Sequence, residues 1–133
     1  MSLVKIVELP NRGDDRGGLA VIEGGKTIPF DIKRTYYIYD TKQGVSRGFH
    51  AHRDLKQIAF CVSGSCEILL DDGKSKESVL LDDPLKALRI DEMVWHEMHD
   101  FSEDCVLLVL ASDFYDECDY IRNYEEFISL VSR

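Results

Sequence analysis

The chain has 133 residues, 44% of them hydrophobic and 31% charged, which suits one globular domain with a core buried without disulfides. Its formal charge of −9, from 16 basic and 25 acidic residues, argues against a nucleic-acid binder, which needs a basic face to neutralise phosphates. The longest clear apolar run, Val106 to Ala111, is far too short to span a bilayer, and no basic and apolar leader opens the chain, so no membrane association and a cytoplasmic setting are expected.

Short apolar stretches punctuated by turn residues predict strands along most of the chain. Leu19–Glu23 is the first, ahead of Gly24-Gly25. Ile32–Asp40 is β-branched and aromatic, with Arg34, Tyr36 and Ile38 on one face and Lys33, Thr35, Tyr37 and Tyr39 on the other. A strand carrying His50 and His52 follows, then Gln57–Val62, closed by Ser63-Gly64. Cys66–Leu70 runs into the turn signal Asp71-Asp72-Gly73. Ser78–Leu81 and Leu85–Ile90 flank a turn holding Pro84, and Met93–Met98 and Cys105–Ala111 complete the set. Only the tail reads as helix: Tyr120, Tyr124, Phe127, Ile128 and Val131 recur at helical spacing from Tyr120 to Val131. Strands about ten residues apart, with no room for helical crossovers, predict an all-β antiparallel sandwich or barrel with a short C-terminal helix, as a single domain over 1–133. Cys61, Cys66, Cys105 and Cys118 form no CxxC pair and read as reduced thiols.

The segment richest in chemistry is Gly44-x5-His50-x-His52-x4-Gln57-x6-Gly64. Histidines at i and i+2 of a strand project from the same face. This arrangement resembles the first motif of the cupins, a jelly-roll fold, with Gln57 where a glutamate usually stands. The second cupin motif is carried by His96 and Asp100. Exchanging a glutamate for neutral Gln57 weakens a site for a divalent ion. Three histidines and a glutamine could still hold one, so a metal-dependent cupin enzyme, a dioxygenase or sugar isomerase, stays open beside a metal-free one.

Several longer stretches sharpen the resemblance. Asp15-Arg16-Gly17, Ile32-Lys33-Arg34-x-Tyr36-Tyr37-Ile38-Tyr39-Asp40, Arg47-Gly48-Phe49-His50-Ala51-His52, Trp95 to Asp100, Ala111 to Tyr115 and Asp119-Tyr120-Ile121-Arg122 together resemble the dTDP-4-keto-6-deoxyhexose 3,4-ketoisomerases. The resemblance runs from about Asp15 to Phe127. It implies a metal-independent cupin without a cofactor, acting on a dTDP-linked keto-sugar in the biosynthesis of 3-amino-deoxysugars. It also implies a homodimer in which an N-terminal strand is exchanged. A non-catalytic cupin module that binds a sugar nucleotide is the remaining alternative.

Moving a carbonyl from C4 to C3 needs groups that both take and return protons, and histidine titrates in the right range. His50 and His52 are therefore the candidate catalytic pair, with Tyr37 as a further donor unless it packs in the core. The diphosphate needs fixed positive charge, for which Arg47, three residues before His50, and Arg16, in the Asp-Arg-Gly turn, are candidates. Arg16 could equally pair with a carboxylate in its own turn. Trp95 could stack on thymine or sugar, or pack in the core. His96 could line the site or be a hydrogen-bonded core residue. His99, three residues further along a strand, is expected to face away.

Overall fold

A computed structural model describes residues 2–132. Its strands are β1 (Ile6–Glu8), β2 (Arg34–Ile38), β3 (Arg47–His52), β4 (Gln57–Ser63), β5 (Cys66–Asp71), β6 (Lys76–Leu81), β7 (Lys86–Ile90), β8 (Trp95–His99), β9 (Val106–Ala111) and β10 (Tyr120–Ile121). The helix α1 spans Tyr124–Val131, and a single 3-10 turn covers Glu117–Asp119. The strands form two five-stranded sheets, β1-β7-β4-β9-β2 and β10-β3-β8-β5-β6, with antiparallel pairing between neighbours. This is the antiparallel sandwich that the residue pattern implied, as the cupin resemblance also required. No helix among the described residues is long and apolar enough to cross a membrane.

Alternation along each strand divides its side chains between two layers. Ala59 and Cys61 of β4, Leu107 and Val109 of β9, and Ile68 and Leu70 of β5 meet between the sheets, where each is about 0–1% exposed. The outward side chains of the first sheet, Ile58, Phe60 and Leu110, are covered in turn by Leu9, Ile28 and their neighbours. Burial on both faces explains why β4 and β9 read as unbroken apolar runs. On the outside of the second sheet, α1 lays Phe127 against Ala51, Trp95 and Ile121.

The helix begins at Tyr124 rather than Tyr120. Asn123 caps it, its side chain accepting from the Glu126 amide, with Glu125 and Glu126 in the first turn where the helix dipole favours acidic groups. Tyr120 and Ile121 instead pair with His52 and Ala51, extending the second sheet beyond β3. The expected strand Leu19–Glu23 does not form. That segment makes one isolated bridge, Ala20 to Asn11, within a glycine-interrupted loop that lies over the first sheet. Conversely β1, too short for a periodic signal, adds to the edge of the first sheet through β7.

Candidate active site

The site is built on β3, and its geometry depends on one irregularity there. Arg47 stands opposite Met98 and Gly48 opposite Glu97, but His50 stands opposite His96, so the stretch contains one residue more than its partner. This β-bulge changes which face each later side chain takes. In an unbroken register His50 would oppose Trp95, whose side chain lies on the outer face. The extra residue turns it inward beside His96. The backbone adopts positive φ at Gly48 (90°) and Phe49 (60°), and a Cβ on Gly48 would sit 3.1 Å from the His96 carbonyl oxygen. Glycine is the residue that fits there.

Three imidazoles converge as a result. The His50 ring lies 4.6 Å from that of His96 and 5.0 Å from that of His52, in both cases edge to face. One ring nitrogen from each lies within 4.8 Å of the others, a spacing that could hold a cation. In each ring Nδ1 is engaged by an acceptor: the Gly48 carbonyl for His50, Asp119 Oδ2 for His52 (3.0 Å) and the Val94 carbonyl for His96. In the neutral rings those acceptors keep the proton on Nδ1 and leave a lone pair on every Nε2. The Nε2 atoms of His52 and His96 are buried without a partner.

Electrostatics reinforce this arrangement. Burial, and then the neighbouring His50, hold His52 down at about 4. Burial and the same neighbours hold His96 down at about 3, and burial lowers His50 as well. All three are therefore neutral bases near pH 7. Tyr36 is likewise held neutral. Its phenol, held above its usual pKa by burial, donates to Gln57 Oε1 at 2.6 Å.

A cavity of about 560 Å³ opens between β2, β3 and the segment after β9, lined by Tyr36, His50, Tyr120 and three arginines, Arg34, Arg47 and Arg122. Tyr120 packs between the histidines and the solvent side, its ring 4.4 Å from His52 and 5.0 Å from His50. The Arg122 guanidinium lies 4.2 Å from the Tyr120 ring and is fixed by two bonds to Glu117. Arg34 sits between the rings of Tyr36 and Tyr115, with its Nε buried and unpaired.

The residues singled out from sequence are distributed unevenly. His50, His52 and His96 come together, and Arg47 borders the cavity. Tyr37 borders the cavity but stands apart from the histidines, on the exposed face of β2, 60% exposed with its ring against Tyr39; Tyr36 occupies the inner face. Trp95 is not at the cavity. As the neighbour of inward His96 it faces outward, packed on Tyr124 and Phe127 with its indole N–H donated to Glu97. Arg16 lies in an exposed turn bound to Asp14, outside the cavity of its own chain. His99 does face away, bonded to Ser46 and Glu97. Sequence reading passed over Arg34, Tyr36, Asp119, Tyr120 and Arg122 as site residues.

Comparisons with known proteins agree closely. The family model described as FdtA: WxcM-like, C-terminal, matches residues 2–132. A TDP-4-oxo-6-deoxy-alpha-D-glucose-3,4-oxoisomerase from Aneurinibacillus thermoaerophilus is 51% identical over 129 residues, 97% of this chain and 93% of that protein. A 3,4-ketoisomerase from Helicobacter canadensis superposes with a TM-score of 0.95 at 47% identity, covering 100% of both chains. A mutant of the 3,4-ketoisomerase QdtA from Thermoanaerobacterium thermosaccharolyticum, in complex with TDP-4-keto-6-deoxyglucose, superposes with a TM-score of 0.96 at 43% identity, covering 99% of this chain and 96% of the other.

Proposed function

The chain belongs to the FdtA, WxcM-like C-terminal family, and we propose from that premise that it is a 3,4-ketoisomerase acting on dTDP-4-keto-6-deoxyglucose. The observation that carries the reading is the convergence of three neutral imidazoles, two with buried and unpartnered Nε2 atoms, behind a cleft that His50 lines and arginines rim.

The chemistry follows from those groups. A histidine Nε2 removes the C3 proton, whose acidity comes from the adjacent C4 ketone. The C3–H electron pair becomes the C3=C4 bond, and the C4 carbonyl π pair moves onto O4. The enediolate is stabilised by a donor already in place, the Arg34 guanidinium, whose Nε is unpaired. Loss of the O3 proton then forms the C3 carbonyl while C4 and O4 each receive a proton. C3 is oxidised as C4 is reduced, so the reaction balances internally with no redox cofactor. His50 and His52 are the proton-transferring pair and His96 supports them. Arg47 and Arg122 provide positive charge for the diphosphate.

We place this activity in a single cytoplasmic domain, consistent with free Cys61, Cys66 and Cys105 whose sulfurs lie 3.7 Å from a neighbour. Two copies pair by exchanging β1, since the contacts β1 makes with β7 at the sheet edge can be made equally by a second copy. Light scattering in solution tests the dimer, and a monomer at micromolar concentration refutes it.

The deciding experiment incubates chelator-treated protein with dTDP-4-keto-6-deoxyglucose in D2O and follows the sugar by proton NMR. Movement of the ketone to C3 with retention of the dTDP group is expected. Unchanged sugar, or exchange at C3 and C5 with the ketone still at C4, refutes the assignment.

A further inference from the structure

His52 differs from the other two histidines in the partner of its Nδ1. His50 and His96 donate to backbone carbonyls, whereas His52 donates to a carboxylate 67 residues away in the chain. That carboxylate is itself held. Asp119 Oδ1 accepts from the Asp54 amide at 2.8 Å, and its backbone oxygen accepts from the Arg53 amide at 2.9 Å. The next residue, Tyr120, pairs directly with His52 as β10 joins β3. Both ends of the His52–Asp119 bond are therefore fixed to the same corner of the sandwich, and the His52 side chain is only 2% exposed.

We propose that Asp119 is a positioning residue: it fixes the proton of His52 on Nδ1, leaves the Nε2 lone pair free within the histidine cluster and stabilises the imidazolium that forms when Nε2 takes a proton. An ionised carboxylate can only accept a hydrogen bond, so it selects one tautomer. Of the three rings, His52 alone is bonded through Nδ1 to a negative charge, and this singles it out to carry the proton during turnover. The catalytic half of this inference rests on the ketoisomerase reading. The tautomer half does not.

The test is Asp119→Asn in the full chain. The Asp54 amide still demands an acceptor, so the Asn oxygen remains on that side and its NH2 faces His52. Nδ1 must then accept, and the ring proton moves to Nε2. Expected by 15N NMR is a His52 Nδ1 that is protonated in the wild type and unprotonated in the variant. With the ring in the wrong tautomer, kcat falls by about 100-fold or more, while KM stays within about threefold because the arginines are untouched. An Nε2–H tautomer of His52 in the wild-type spectrum overturns the proposal even where the variant folds poorly. So does an unchanged tautomer, or unchanged kcat, in Asp119→Asn. A tautomer that flips as expected in a protein whose wild type leaves the keto-sugar unchanged upholds the positioning role and refutes the ketoisomerase reading alone.

Discussion

The phenol of Tyr36 reaches over β9 to donate to Gln57, tying β2 to the first residue of β4 across the floor of the cavity. The reach is possible because Ala111, directly opposite both Arg34 and Gln57, carries only a methyl group. A neutral amide at position 57 accepts from the phenol without adding charge beside the neutral histidines. Tyr36→Phe removes the donor and leaves a buried amide oxygen unpaired. We expect a loss of about 1–3 kcal/mol in stability by denaturant titration. Tyr37→Phe, changed at an exposed ring on the same strand, is expected to keep wild-type stability in the same titration.

His50→Asn and His52→Asn each remove a proton carrier while leaving the arginine rim in place. Turnover is expected to drop by about 10² to 10⁴, with dTDP affinity by calorimetry within about threefold of wild type. Full activity in either variant removes that histidine from the proposed mechanism.

Arg47→Ala and Arg122→Ala each remove fixed charge from the mouth of the cavity. A charge-assisted contact to phosphate is worth about 1.5–3 kcal/mol, so KM is expected to rise about 10- to 100-fold with kcat little changed. Steady-state kinetics at two salt concentrations check this, since wild-type affinity falls with added salt more steeply than that of the variants.

Three Nε2 lone pairs with no carboxylate among them make a set that prefers soft or borderline cations. Turnover is expected to survive dialysis against chelator. Added Zn2+ is expected to inhibit by occupying the same lone pairs that take substrate protons, and chelator should restore activity. Loss of activity on chelation, regained with metal, refutes the metal-free mechanism.

The buried histidines also set an acid limit on folding. His52 is held near 4 and His96 near 3, against about 6.5 in the unfolded chain. Above pH 6.5 both states hold these rings neutral and the full stability is present. As pH falls from about 6.5 towards 4, the unfolded chain takes up protons that the folded one refuses, and stability is lost. For His52 the loss approaches about 3 kcal/mol by pH 4. Thermal melting at pH 7.5, 6, 5 and 4 should show Tm falling mainly below 6.5, with a shallower fall in His52→Asn.

Much of this was legible in the chain because strands announce themselves by period and turns by residue type. The expected segments around β2 and β4 through β9 formed within a residue or two of their read boundaries. The histidine pair was readable from its spacing alone. The inner face of β2 was not, because Arg34, Tyr36 and Ile38 are no more apolar than Thr35 and Tyr37, and only the packing against Gln57 decides between them. Trp95 could have been excluded: with His96 facing inward, its neighbour on the same strand faces out. Asp119 was legible only as part of the tail motif and without a role, since its partner lies 67 positions earlier and the two meet only when β10 docks beside β3.

The bulge at Gly48–Phe49 makes the site sensitive to length rather than to identity. Adding or removing one residue between Arg47 and His50 leaves every functional side chain in the sequence, yet it rotates the first imidazole onto the side occupied by Trp95 and α1. Such a protein could retain its sandwich and be inert. Among relatives of this chain, gaps in this four-residue stretch should therefore be far rarer than substitutions in it, and a sequence that carries one has either abandoned the reaction or rebuilt the cavity from another strand.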